Sequence, residues 1–294
     1  MTANYTSAAG AAAVAERYRE LLDRWPVPSE HLRLPTGEGE TFVVASGPRD
    51  APAVVLLHGS GSTTAMWMGD IEAWSERFRV YAVDLVGEPG RSAPSRPALA
   101  SDAFARWLDD VLDGLGVARA SIVGVSLGGW LALDYAIRRP ERVDRLALLC
   151  PGGVGRQRWG ILALALLVMP FGDWGRRRAL RLILGPAPPV TTPEAQAFVD
   201  YMMLISEHFK PRRETLPRFG DDELRRLSMP MLVVVGGRDG LLNSRETRRR
   251  LAKLTPHATV RLLPEAGHLV LGQTQPILDF LRAAGPGDRS TGDQ

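Results

Sequence analysis

The feature that most constrains this chain is the stretch Ser121-Ile122-Val123-Gly124-Val125-Ser126-Leu127-Gly128-Gly129-Trp130. A short apolar run ends at a single serine, and a helix-compatible segment begins immediately after it. Gly124, Ser126 and Gly128 fit G-x-S-x-G, the pattern of a serine held at the tip of a tight strand-to-helix turn. A serine there sits in strained backbone with its hydroxyl clear of the sheet, and the flanking glycines carry no side chain to collide in the turn. The helix that follows also presents unbonded N–H groups where an oxyanion would form. Many Gly-rich turns contain a serine, so the remainder of the chain has to supply the partners.

It supplies an alternation of strands and helices. Residues from about Gly10 to Trp25 carry Val14, Tyr18, Leu21, Leu22 and Trp25 at helical spacing, and Pro26 and Pro28 end that helix. It is expected to pack outside the domain or to help cover the site. His31–Leu34 and Thr41–Val44 flank Gly37 and Gly39 as a hairpin. Ala53–Leu57 is wholly apolar, the signature of a strand buried on both faces, and it runs into His58-Gly59-Ser60-Gly61-Ser62. This small-residue loop can offer a second oxyanion donor, the N–H of Ser60, to work with that of Leu127. His58, beside a buried strand end, reads as a brace for the loop. A helix is expected over Thr64–Phe78, a strand over Arg79–Asp84, a helix over Ser101–Leu115 and a strand over Val143–Leu149. Asp84, at a strand end, is given a structural role.

The 294 residues allow one large α/β domain with an insertion, or two small domains. A hydrophobic share of 45% and a charged share of 23% are those of a soluble globular protein. Net charge is only +3, and Arg176–Arg178 and Arg248–Arg250 read as solvated helix faces, so no nucleic-acid partner is expected. Cys150 is the single cysteine; it allows no intrachain disulfide and no metal cluster, and a buried free thiol suits a cytoplasmic setting. No signal-peptide pattern is read at the N-terminus.

Taken together, these landmarks resemble the α/β-hydrolase fold superfamily, in particular bacterial carboxylesterase-like members with a helical cap. The resemblance rests on His58-Gly59-Ser60-Gly61, Asp84-Leu85-Val86-Gly87 with Gly90-Arg91-Ser92, Gly124–Gly129, and Pro140-Glu141-Arg142-Val143, in that order. Where the family usually has a Gly-His-Gly turn, this chain has Gly87-Glu88-Pro89-Gly90. The resemblance covers roughly residues 30 to 150 and 228 to 283. It implies a mostly parallel central sheet flanked by helices, with a helical cap inserted after the sixth core strand. The corresponding division is an N-terminal helical extension (1–29), a core (30–151 and 229–284), a cap (152–228) and a disordered tail (285–294).

In the region assigned to the cap, Trp159–Phe171 is about thirteen residues of nearly unbroken apolar sequence, too short to span a bilayer comfortably. Ala179–Leu184 and Ala197–Ile205 read as further helices, separated by Pro186, Pro188, Pro189 and Pro193. Their apolar stripes are expected to roof an acyl or aromatic pocket, to pack on the core, or to make a peripheral membrane contact. The core resumes at Pro230–Gly237. The family carries its acid in a Gly-x-x-Asp pattern here, which Gly236–Asp239 fits, while Asp144 is the rival and Glu246, in the next helix, a poorer one. After the strand Ala258–Leu263, Pro264-Glu265-Ala266-Gly267-His268 puts a histidine on a Gly-bearing loop. His31, His208 and His257 have weaker claims from their positions.

The candidate catalytic set is therefore Ser126, Asp239 and His268, with Ser60 and Leu127 as oxyanion donors, no cofactor and no metal. Serine needs an imidazole to take its proton as it attacks, and the imidazole needs a carboxylate to hold its tautomer. The expected reaction is hydrolysis of a carboxylic ester of a small to medium apolar substrate. Amide or lactone hydrolysis, C–C bond hydrolysis and cofactor-free perhydrolysis use the same triad, and a non-catalytic small-molecule receptor is the reading from another class. Oligomeric state and natural substrate are not encoded in any motif.

Overall fold

The computed structural model describes residues 3–186 and 191–283. Pro188, Pro189 and the expected tail at 285–294 lie outside the described residues. The chain opens with helix α1 (Ala8–Leu22), the strands β1 (Ser29–Thr36), β2 (Gly39–Ser46) and β3 (Ala53–Leu57), and a short helix α2 (Ile71–Ser75). It continues through β4 (Arg79–Val83), α3 (Ala103–Gly114), β5 (Ala120–Val125), α4 (Leu127–Arg138) and β6 (Val143–Leu149). Four helices follow: α5 (Trp159–Val168), α6 (Gly172–Leu184), α7 (Pro193–His208) and α8 (Asp221–Arg225). The chain then returns to β7 (Met231–Gly236), α9 (Ser244–Leu254), β8 (Thr259–Leu263) and α10 (Thr274–Arg282).

The strands form one sheet in the order β1-β2-β4-β3-β5-β6-β7-β8. β1 and β2 make the expected antiparallel hairpin, and β2 pairs antiparallel with β4. Every later pairing is parallel, so the ends of β3, β5, β6, β7 and β8 open on one edge. Strand β5 lies between β3 and β6, which puts the elbow serine in the middle of that edge.

Burial explains the apolar runs. Val54 and Leu56 pack into one core cluster with Tyr18 of α1, Trp74 of α2 and Ile277 of α10. Val55 and Leu57 pack into the other, with Trp107 of α3, Leu131 of α4 and Leu251 of α9. Alternate residues of one strand thus feed two cores, which is why the strand reads as continuously apolar. Each such side chain contributes about 1.5–3 kcal/mol relative to exposure.

The helix expected over Thr64–Phe78 is broken. A 3-10 turn spans Thr64–Trp67, and α2 begins only at Ile71. The Thr64 N–H donates to the Asp84 carboxylate at 3.0 Å, which ties the first turn to a neighbouring loop, and Gly69 then lowers the helix propensity. Helix α1 packs on the body of the molecule by one face, burying Val14, Tyr18, Leu21 and Leu22, the stripe its spacing marks. Its Tyr18 is 1% exposed, stacks on Tyr201 of α7 at 6.0 Å, and donates to the Asp84 carboxylate at 2.8 Å.

Candidate active site

The elbow is closed by backbone contact. A Cβ on Gly128 would lie 2.1 Å from the Leu57 carbonyl oxygen, and one on Gly124 would lie 2.6 Å from that of Gly128. No larger residue fits between β3, β5 and α4 without moving one of them. Ser126 itself holds φ 52 and ψ −107, a conformation costing a non-glycine residue about 1–3 kcal/mol. Its backbone is pinned by Ser126 N–H donating to the Leu149 carbonyl (2.9 Å) and by Trp130 and Gly152 N–H donating to its own carbonyl (2.9 and 3.1 Å).

That strain aims the hydroxyl at His268. Ser126 Oγ lies 2.9 Å from His268 Nε2, and His268 Nδ1 lies 2.8 Å from Asp239 Oδ2. Because a carboxylate accepts, Nδ1 carries the ring proton and Nε2 is left to accept from the serine hydroxyl. Asp239 and His268 are buried, at 1% and 4% exposure, whereas Ser126 is half-buried and can be reached. The other oxygen of Asp239 accepts from the N–H groups of Leu241 (2.7 Å) and Leu242 (2.9 Å), which fixes the carboxylate plane. The His268 N–H donates to the Leu184 carbonyl at 2.6 Å, and Arg158 Nη1 donates to the Asp239 carbonyl at 2.9 Å. The loops bearing acid and base are therefore held by the two ends of the α5–α6 segment. The arrangement can move a proton from a serine hydroxyl onto an imidazole whose cation faces a fixed negative charge.

The glycine loop after β3 passes beside the serine: a Cβ on Gly59 would stand 3.7 Å from Ser126 Cβ. Among the described residues neither the Ser60 nor the Leu127 N–H has a protein acceptor, leaving both able to bind an oxyanion. His58 braces this loop, as its position suggests. Leu85 N–H donates to its Nε2 at 3.0 Å, so its Nδ1 carries the proton and donates to the Gly59 carbonyl at 2.8 Å. Burial pushes the His58 imidazole down, which favours this neutral form.

Glu88 is the residue that sequence reasoning missed. Its Oε2 accepts from Gly61 N–H at 2.6 Å, and the Ser60 hydroxyl lies 3.3 Å away. Burial pushes its carboxyl up to about 7, against the lowering influence of the Gly61 N–H and the nearby Arg96 and Arg212. The signal was present: Glu88 stands in the turn that departs from Gly-His-Gly.

The rival residues are placed elsewhere. Asp84 accepts from Thr64 N–H, Tyr18 Oη and Arg91 N–H, which commits it to tying together α1, the turn at Thr64 and the loop after β4. Asp144 pairs with Arg119 on an exposed edge, and Glu246 pairs with Arg218. His31 packs on Phe42. Arg250 departs from the expected solvated face, since it donates to the carbonyls of Val154 and Phe219. Cys150 is buried, with ligand atoms of Cys150, Asp239 and His268 within 4.8 Å of one another. This trio suits a cation poorly: both Asp239 oxygens are engaged, and burial together with the Asp239 charge pushes the thiol up and keeps it protonated.

The family model described as the alpha/beta hydrolase family matches residues 54–283. The chain belongs to that family. Among alpha/beta hydrolases it is 32% identical to carboxylesterase YbfK of Bacillus subtilis, over 90% of this chain and 92% of that protein. The crystal structure of carboxylesterase CesB (YbfK) from the same organism superposes with a TM-score of 0.80 at 31% identity, covering 93% of this chain and 99% of that one. Naproxen esterase (carboxylesterase NP) from Bacillus subtilis superposes with a TM-score of 0.75 at 29% identity, covering 91% and 94%. No helix among the described residues of this hydrolase is long and apolar enough to cross a membrane.

Proposed function

We propose that this hydrolase is a serine carboxylesterase acting on esters with a small to medium apolar acyl or alcohol part. The observation that carries the reading is the unbroken relay Ser126–His268–Asp239, set at a strained elbow beside two N–H groups that have no acceptor among the described residues. The carboxylesterase names of its relatives support the ester as the bond attacked. In this reading Ser126 Oγ attacks the ester carbonyl while His268 Nε2 takes its proton. The Ser60 and Leu127 N–H groups hold the oxyanion, each worth about 3 kcal/mol in such sites. His268 returns the proton to the departing alcohol, and Asp239 stabilises the imidazolium throughout. Water then attacks the acyl-enzyme by the same route. A cytoplasmic setting belongs to the same proposal and is supported by the buried free thiol of Cys150.

The test is release of p-nitrophenol from p-nitrophenyl esters, acetate through laurate, by the protein and by Ser126→Ala. Turnover that peaks at one chain length and falls by ~10⁴-fold or more in the variant is expected. Undiminished turnover in Ser126→Ala, or no turnover together with no labelling of Ser126 by a fluorophosphonate, overturns the reading.

A further inference from the structure

Helices α5 and α6 form a hairpin whose tip turns several large apolar side chains to water. Six of the nine large apolar side chains that stand exposed among the described residues are Leu164, Leu166, Leu167, Met169, Phe171 and Trp174. Leu166 and Leu167 are 67% and 70% exposed, and Phe171 and Trp174 are 67% and 66%. An isolated exposed leucine needs no explanation, but a contiguous apolar tip of this kind marks a surface that something covers.

The shape of the hairpin is fixed before anything binds. A Cβ on Gly175 would meet the Val168 carbonyl oxygen at 1.9 Å, so the helices close against each other at the tip on a residue without a side chain. The side chains fully buried among the described residues here are small, Ala165 and Ala179; Val168, Leu180 and Ile183 are half-buried, and Leu166, Leu167, Phe171 and Trp174 are turned outward. Phe171 and Trp174 already make an edge-to-face pair, at 6.4 Å and 87°.

Charge identifies the occupant. Between Trp159 and Leu184 the sequence has four arginines and one aspartate. The whole chain has 36 basic and 33 acidic residues, so this hairpin accounts for the entire formal excess of positive charge. Arg177, Arg178 and Arg181 are exposed and make no ion pair among the described residues. They begin about one helical turn behind Trp174, at 1.5 Å per residue. An apolar tip, an aromatic pair and then a collar of arginine is the sequence of chemistries met on entering an anionic bilayer: acyl chains, interface, phosphate. A second copy of this chain would place two such collars against each other.

We infer that the α5–α6 hairpin is a docking element for an anionic lipid surface, inserting its tip among the acyl chains and resting Arg177, Arg178 and Arg181 on the headgroup phosphates. Both ends of the hairpin are bonded to the loops that carry Asp239 and His268, so the docked protein holds its site close to esters dissolved in the lipid. The docking itself does not rest on the proposed esterase activity.

Co-sedimentation of the full chain with phosphatidylcholine vesicles, with and without phosphatidylglycerol, tests this. At least ~10-fold stronger partition onto the phosphatidylglycerol vesicles is expected, weakening as salt is raised. The double substitution Leu167→Asp, Phe171→Asp is expected to abolish binding to both vesicles. Arg177→Glu with Arg178→Glu is expected to remove the preference for the anionic ones. Unchanged circular dichroism and thermal midpoint certify that the variants fold. Absence of binding by the unsubstituted protein overturns the inference, and so does binding indifferent to these substitutions. A concentration-dependent dimer that Leu167→Asp dissociates would assign the face to a second copy and overturn it equally.

Discussion

Strand β3 and the α5–α6 hairpin put similar apolar sequence to opposite uses. Val54 to Leu57 are each 0% exposed, whereas Leu166 and Leu167 are about two-thirds exposed. The strand is bonded on one side to β4 and on the other to β5, and helices cover both of its faces. Among the described residues the hairpin fully buries only small side chains, Ala165 and Ala179, and leaves its tip uncovered. An apolar run states that cover is wanted; the topology decides whether the same chain provides it. The contrast extends to chemistry, because the paired strand ends hold the site rigid while the hairpin grips the acid and base loops from outside.

The strongest test of the rigid half is Asp239→Asn. The new amide oxygen still accepts from Leu241 and Leu242 N–H, so the fold should persist. Its NH₂ group faces His268 Nδ1 and selects the wrong tautomer. A fall of about 10³–10⁴-fold in kcat on a p-nitrophenyl ester is expected, with the thermal midpoint nearly unchanged. Equal losses of activity and stability would instead make Asp239 a mainly structural residue. Next in size is Leu56→Ala, which empties a fully buried position and should cost about 2–5 kcal/mol in urea unfolding. A cost near zero would mean that β3 is no better packed than the hairpin.

Glu88 sits at the seam between the rigid edge and solvent, and pH separates its contribution. Its carboxyl is pushed by burial from 4.5 to about 7, so the folded chain keeps a proton that the unfolded chain releases. The stability this gives is complete below the unfolded value and is lost as pH rises to the folded one. Glu88→Gln keeps an acceptor for Gly61 N–H and cannot ionise. It should gain roughly 1–3 kcal/mol relative to the parent on going from about pH 5 to about pH 8, read from unfolding curves at both. A constant difference across that range would place the titration elsewhere.

What the sequence made legible follows from which constraints are local. The elbow needs Gly124, Ser126 and Gly128 at fixed spacing, and the structure shows why: backbone passes within contact distance of both glycines. His58 as a brace and Asp84 as a structural acid were readable because each sits at the end of an apolar strand. Glu88 was not, since its partner Gly61 lies on another loop and only a departure from the family turn marked the position. The break near Gly69 was hidden because Trp67 and Trp74 keep helical spacing across it. The outward side of α5 was hidden too: an all-apolar helix has no polar face to show which side meets water.

That last ambiguity gives the smallest and most discriminating expectation. Leu166 and Leu167 together lose little contact on folding, so replacing both by serine removes almost no buried apolar area. The change should alter the unfolding free energy by no more than about 0.5 kcal/mol, the usual range for exposed positions. Serine has a lower helix propensity than leucine, which sets the direction of any residual loss. A cost of several kcal/mol, comparable with Leu56→Ala, would show that the tip folds down onto the body of the protein in solution. A near-zero cost would leave two leucines that the folded chain does not need for itself, as a surface kept for an external partner requires.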